Sequence, residues 1–149
     1  MTFTMTPGLT RAQESLDGIA WNILGQTYVP KQLSDQSMSW HATFPKGTFV
    51  PPHTHPTQDE FVYVLTGRLD FWLDGKEMQA GPGDLARLPM GIPHGIFNKS
   101  EETVTCLFWV SPTRRLFDLF KAIHNVPDPG EVVRLSALHE VDFLPPPAA

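Results

Sequence analysis

One cysteine, no long apolar run and no block of like charge occur in the 149 residues, and each absence removes a class of function. The lone Cys106 has no internal partner for a disulfide, and inside the apolar run VTCLFWV it reads as a small buried hydrophobe rather than a nucleophile. No apolar stretch approaches bilayer length, so no membrane partner is expected. The 11 Lys and Arg are scattered singly in a chain of net charge −5, which leaves no basic stripe to track phosphates and makes nucleic acid an unexpected partner. The opening MTFTMTPGLTRAQESLDG has neither a basic nor an apolar leader region, from which a cytoplasmic address is expected. Internal repeats and low-complexity segments are also missing.

Proline and glycine are plentiful instead, with 15 and 11 residues that cut the middle of the chain into short apolar runs. Short runs between turn residues predict an all-β architecture, a barrel or a sandwich. Strands are expected near IAWNILG, TYVPKQL, SMSWHATF, FVPPHTH, EFVYVLTG, RLDFWLDG, KEMQAG, DLARLP, HGIFNK and VTCLFWV, with Asp74-Gly75 as a type I′ hairpin turn. After Ser111 the period changes. Leu116, Leu119, Phe120 and Ile123 recur at helical intervals, and DPGEVVRLSALHEV does so more weakly. The expected organisation is one domain: an arm or short helix over 1–17, a barrel over 18–111, and C-terminal helices with an extended tail over 112–149.

Chemistry concentrates in HTHPTQDE, residues 53–60. Side chains at i and i+2 of a strand share a face, so FVPPHTH is expected to present Phe49, Pro51, His53 and His55 together. A turn over residues 56–59 returns Glu60 at the head of the next strand, with Val62 and Val64 continuing its face. Alone, each histidine reads as a hydrogen-bonded core residue and the glutamate as a solvated one. Together, they would each lose roughly several kcal/mol by burial unless a divalent cation held neutral imidazoles and the carboxylate in one place. Mixed N and O donors suit a first-row transition metal. Downstream, GDLARLPMGIPHGIFN delivers His94 from a Gly- and Pro-fixed turn.

These segments read G-x5-HxH-x4-E-x6-G from Gly47 to Gly67 and G-x5-P-x-G-x2-H-x3-N from Gly83 to Asn98, separated by 15 residues. In both motifs, and over roughly residues 20–120, the chain resembles the cupins, small antiparallel β-barrels (double-stranded β-helix or jelly roll) that hold a metal. The resemblance implies His53, His55, Glu60 and His94 as metal ligands for one divalent ion (Fe, Mn, Ni, Co, Cu or Zn), with one or two positions open for substrate or dioxygen. Asn98 is expected to tie the strand end rather than to ligate. His41 is given no site role, and His124 and His139 read as surface or capping residues.

Cupins host many reactions, so the fold does not choose one. The segments KGTFVPPHTHPTQDEFVYVLTGRLDF and SPTRRLFDLF resemble small single-domain relatives of quercetinase-like dioxygenases. That likeness implies oxidative cleavage of a small enol or phenol, flavonol-, diketone- or catechol-like, with Glu60 as ligand and proton acceptor. Phe49, Val62, Arg87 and Phe97 are the expected substrate contacts; Arg87 reads equally as an outward partner for a surface carboxylate. A non-redox lyase or isomerase, a binding or sensory barrel without turnover and, last, a metal-free sugar-nucleotide epimerase are the alternatives. The strand FVYVL is apolar on both faces, from which a homodimer is expected.

Overall fold

The computed structural model describes residues 8–145. Expectations for residues 1–7 and 146–149 lie outside the described residues. The chain runs through a 3-10 turn at Leu16–Gly18, then β1 (Trp21–Ile23), β2 (Gln26–Leu33), β3 (Met38–Phe44), β4 (Phe49–Thr54) and β5 (Asp59–Thr66). It continues through β6 (Leu69–Leu73), β7 (Lys76–Ala80), β8 (Leu85–Leu88), β9 (His94–Phe97) and β10 (Val104–Ser111). The chain closes with α1 (Leu116–Ile123), α2 (Pro129–Ala137) and a short β11 (Asp142–Phe143). Every expected strand is present; β11 was not foreseen.

All pairings are antiparallel, in a six-stranded sheet ordered β1-β2-β3-β10-β5-β8 and a five-stranded sheet ordered β11-β4-β9-β6-β7. Alternation decides which side chains enter the jelly roll. In β3, Met38, Trp40, Ala42 and Phe44 are buried while the residues between them are half-buried. In β10, Val104, Cys106, Phe108 and Val110 do the same. Trp40 and Phe44 stack on Phe108 with centroids 5.2 and 6.0 Å apart, which forms the aromatic spine of the core.

Two turns show why glycine is needed. Asp74 and Gly75 both have positive φ, 48° and 84°, as a type I′ hairpin demands. Gly67 has φ 81°, and a Cβ there would lie 2.8 Å from Val104 Cγ2.

One bulge changes the expected face of a residue. β4 and β9 pair Val50 with Ile96 but His53 with His94, so three residues on β4 span two on β9. The extra residue falls at Pro51-Pro52, where neither nitrogen can donate to the ladder. The parity therefore flips before His53. Val50 and His53 face inward, and Phe49 turns out, half exposed, its ring stacked on Phe97 at 5.8 Å.

The C-terminal helices close one end of the barrel. Leu116, Leu119, Phe120 and Ile123 are all buried, which fulfils the helical spacing. Phe120 packs against Trp21, Tyr28 and Trp40 at 5.5, 5.1 and 5.1 Å. α2 starts at an Asp128 side chain that accepts from the Gly130 N–H, with Pro129 in the first turn. Arg115 Nε holds Glu140 at 2.9 Å across the two helices, and β11 then pairs with β4. Phe120→Ala is expected to lower unfolding free energy by about 3 kcal/mol in urea titration, the usual size for a buried phenylalanine. Leu138→Ala, at a 54% exposed site, is expected to change it by less than about 0.5 kcal/mol.

Candidate metal centre

His53 ends the inward row of β4, His94 opens β9 directly opposite it, and Glu60 is the second residue of β5. His55 follows β4 in the loop that turns into β5. A backbone bond from Gly91 N–H to the His55 carbonyl, at 2.9 Å, joins the loop to the turn before β9. Met90 N–H donates to Asp59 Oδ1 at 2.9 Å beside it. Two segments more than 30 residues apart in sequence are thus clamped together.

The result is a cluster of His53, His55, Glu60 and His94, all buried, whose ligand atoms lie within 4.8 Å of one another. Glu60 Oε2 is 3.0 Å from His55 Nε2, and Oε1 is 3.6 Å from His94 Nε2. The His53 and His94 rings are 4.4 Å apart.

Hydrogen bonds fix which nitrogen each imidazole presents. Nδ1 of His53 donates to the Pro51 carbonyl at 2.8 Å, and Nδ1 of His94 to the Ile92 carbonyl at 3.3 Å. Carbonyls only accept, so both rings carry the proton on Nδ1 and turn Nε2 inward. His55 is set by a longer chain. Gln58 Nε2 donates to the carbonyls of Pro112 and Thr113 at 3.1 and 2.7 Å, which commits its Oε1 to accept from His55 Nδ1 at 2.8 Å.

Charge follows the same design. Burial, with the neighbouring His94 and His55 charges, pushes His53 down to about 3, so it stays neutral. Burial alone would lower His55 and raise Glu60. Their mutual attraction and hydrogen bond outweigh it, lifting His55 and holding the Glu60 carboxyl well below the usual range. Among the described residues, His94 Nε2 is one of the few buried polar atoms with no hydrogen-bond partner. Three inward imidazole nitrogens, one of them orphaned, and an ionised carboxylate form a donor set that fits a divalent transition metal.

The cluster opens on an apolar cavity of about 70 Å³, lined among others by Gln26, Tyr28, Trp40, Val50, Ile96 and Phe108. Leu116, Leu119, Phe120, Ile123, Val132 and Val141 from the C-terminal segment complete its wall. Phe143 of β11 also lines it and sits 5.1 Å from His53, ring to ring.

Of the substrate contacts expected from sequence, only Phe49 borders this cavity. Val62 is wholly buried on Glu60's face, inside the core. Phe97 lies on the outer face under Lys99 Nζ. Arg87 is exposed, and its register partner is Phe61 while Glu60 pairs with Leu88; the guanidinium strand position therefore faces away from the cluster. This corrects the reading of Arg87 as a substrate anchor. His41 lies half-buried on the outer side of β3, lowered in pKa by burial and by Lys31. His124 Nδ1 accepts from Asn22 N–H at 2.9 Å, and so ties α1 to β1. Asn98 donates to the carbonyls of Phe44 and Glu102 and accepts from Ser100, the tying role expected of it. Gln58, Gln26 and Tyr28 were missed; the only sequence signal of Gln26 and Tyr28 is a polar side chain at an inward parity, and Gln58, in the loop before β5, has none.

Residues 40–110 match the Cupin_2 family of cupin domains. Quercetin 2,3-dioxygenase of Bacillus subtilis (strain 168) is 38% identical over 50 residues, 34% of this chain and 15% of that one. Polyketide synthase CurC of Streptomyces cyaneus is 33% identical over 66 residues, 44% of this chain and 43% of that one. The chain thus matches less than half the length of either relative. An RmlC-like cupin from Shewanella frigidimarina superposes with a TM-score of 0.68 at 19% identity, over 77% of this chain and 99% of that one. Both motifs, the jelly roll and the buried His/Glu cluster agree with that match: residues 40–110 are similar to the cupin domain, and the chain has the cupin fold.

Proposed function

We propose that this cupin binds one divalent transition metal through His53, His55, Glu60 and His94 and oxidatively cleaves a small enol or phenol with dioxygen. The observation that carries the reading is the meeting of a complete four-donor cluster with an apolar pocket. The local likeness to a quercetin dioxygenase supports the choice of reaction. When bound, the metal supplies Lewis acidity for a substrate oxygen and a site for dioxygen. The chain's own residues do the rest. Apolar walls exclude water, so the charge of Glu60 acts on the substrate through a poor dielectric. Glu60 accepts the proton of the enol or phenol hydroxyl, the role of a positioned carboxylate base. Pro51, Ile92 and Gln58 hold the three imidazoles in one tautomer while this happens.

A lyase or isomerase would use the same residues without oxygen. Oxygen-electrode assays of the metal-loaded protein with diketones, catechols and flavonols decide between them: uptake tied to turnover supports the dioxygenase, and turnover without uptake removes it.

Metal analysis is expected to show that His53→Ala, His55→Ala and His94→Ala each lose most bound metal while His41→Ala keeps it. Gln58→Leu frees the His55 ring to rotate and is expected to weaken metal affinity roughly 10- to 100-fold, as loss of a supporting hydrogen bond does. Glu60→Gln keeps the shape and one ligating oxygen. It is expected to retain a substantial part of the metal and lose on the order of 100-fold in turnover per bound metal; unchanged turnover per metal would make Glu60 a ligand only. The proposal includes a homodimer, because Tyr63, Leu65 and Leu85 are 39%, 41% and 56% exposed on the outer face of the six-stranded sheet. Sedimentation at micromolar concentration is expected to show two copies, and a monomer there excludes it.

A further inference from the structure

Gln26 and Tyr28 alternate inward on β2, are 1% and 4% exposed, and both line the cavity beside the His/Glu cluster. Their hydrogen bonds run in one direction only. Gln26 Nε2 donates to the Phe49 carbonyl at 3.0 Å, so the other amide atom, Oε1, must accept. Tyr28 therefore donates its hydroxyl proton to Gln26 Oε1, at 2.6 Å. With that proton committed, the Tyr28 oxygen has only lone pairs left to offer. A ligand that meets it must bring a hydroxyl or another donor. Tyr28 also lies within electrostatic reach of Glu60; burial first, and the Glu60 charge second, keep its phenol protonated.

The pocket around Tyr28 is otherwise apolar, walled by Trp40, Ile96 and Phe108 of the barrel and by Phe120 of α1, so a ligand there finds few other polar partners.

We propose that Tyr28 is the specificity residue of this cavity, its hydroxyl oxygen accepting the donor of an enol, phenol or catechol. The inference rests on the metal-centre reading for where the ligand sits, but its test reads binding rather than oxygen chemistry. Isothermal titration of the metal-loaded protein with catechol, and with 1,2-difluorobenzene as a probe of like shape without donors, tests it. Catechol is expected to bind saturably. Tyr28→Phe is expected to weaken catechol roughly five- to tenfold, the effect of one hydrogen bond, and to leave 1,2-difluorobenzene unchanged. Equal catechol affinity in Tyr28→Phe overturns the specificity role. Catechol binding with this pattern and no oxygen uptake would leave the inference standing and remove the dioxygenase.

Discussion

An ionised carboxylate buried among apolar side chains has to be held by opposite charge or by several donors, and Glu60 is 3% exposed. The rest of the site is arranged around that constraint. Three imidazoles converge on it, two of them within reach of its oxygens. Burial first, and the neighbouring imidazoles second, lower His53 and keep it neutral, while Glu60 raises His55 against its own burial. A metal ion resolves the same conflict more completely, since neutral rings and a carboxylate are the forms it binds. Stability and metal affinity therefore draw on one set of contacts.

That arrangement needs a rigid frame, because a misplaced ring would lose both its tautomer and its aim. Two of the three Nδ1 partners are carbonyls two residues upstream, so the local backbone orients His53 from within β4 and His94 from the turn that leads into β9. His55 lies in a loop and lacks that support. Gln58 replaces it by reaching the carbonyls of Pro112 and Thr113 at the entry to the C-terminal helices. The helices consequently do two things. They wall the cavity with Leu116, Leu119, Phe120 and Ile123, and through Gln58 the segment that introduces them helps set the His55 ring.

Local periodicity made the strands, α1 and the grouping of His53, His55 and Glu60 legible from sequence, because each depends on spacing within about ten residues; His94 joined them through the resemblance to the cupins. The failures have a common cause in relations between strands. Phe49 was placed inward by counting in twos, and the bulge at Pro51-Pro52 shifted the count. Arg87 had an undetermined face until the register of β5 with β8 set Leu88, not Arg87, opposite Glu60. Gln58 and Tyr28 carry no motif at all: their roles come from carbonyls and side chains met only in the folded state. Phe143 reached His53 through a strand of two residues, too short to show any period.

The ligand cluster, for the same reason that it is easy to recognise, says little about the reaction. His53, His55, Glu60 and His94 all fall within residues 40–110, the part that matches the cupin family, and a shared donor set serves many chemistries. The features that make this cavity particular lie elsewhere. Gln26 and Tyr28 come before that segment, and the walls from Leu116 to Phe143 come after it. A barrel common to the family is thus given a polar reader on one side and an apolar cap on the other by the flanks of the chain. Substrate size and hydrogen-bond polarity can change through those flanks while the metal donors stay as they are. In the proposed reaction, selection of the substrate accordingly falls to β2 and the C-terminal helices, and proton transfer to Glu60.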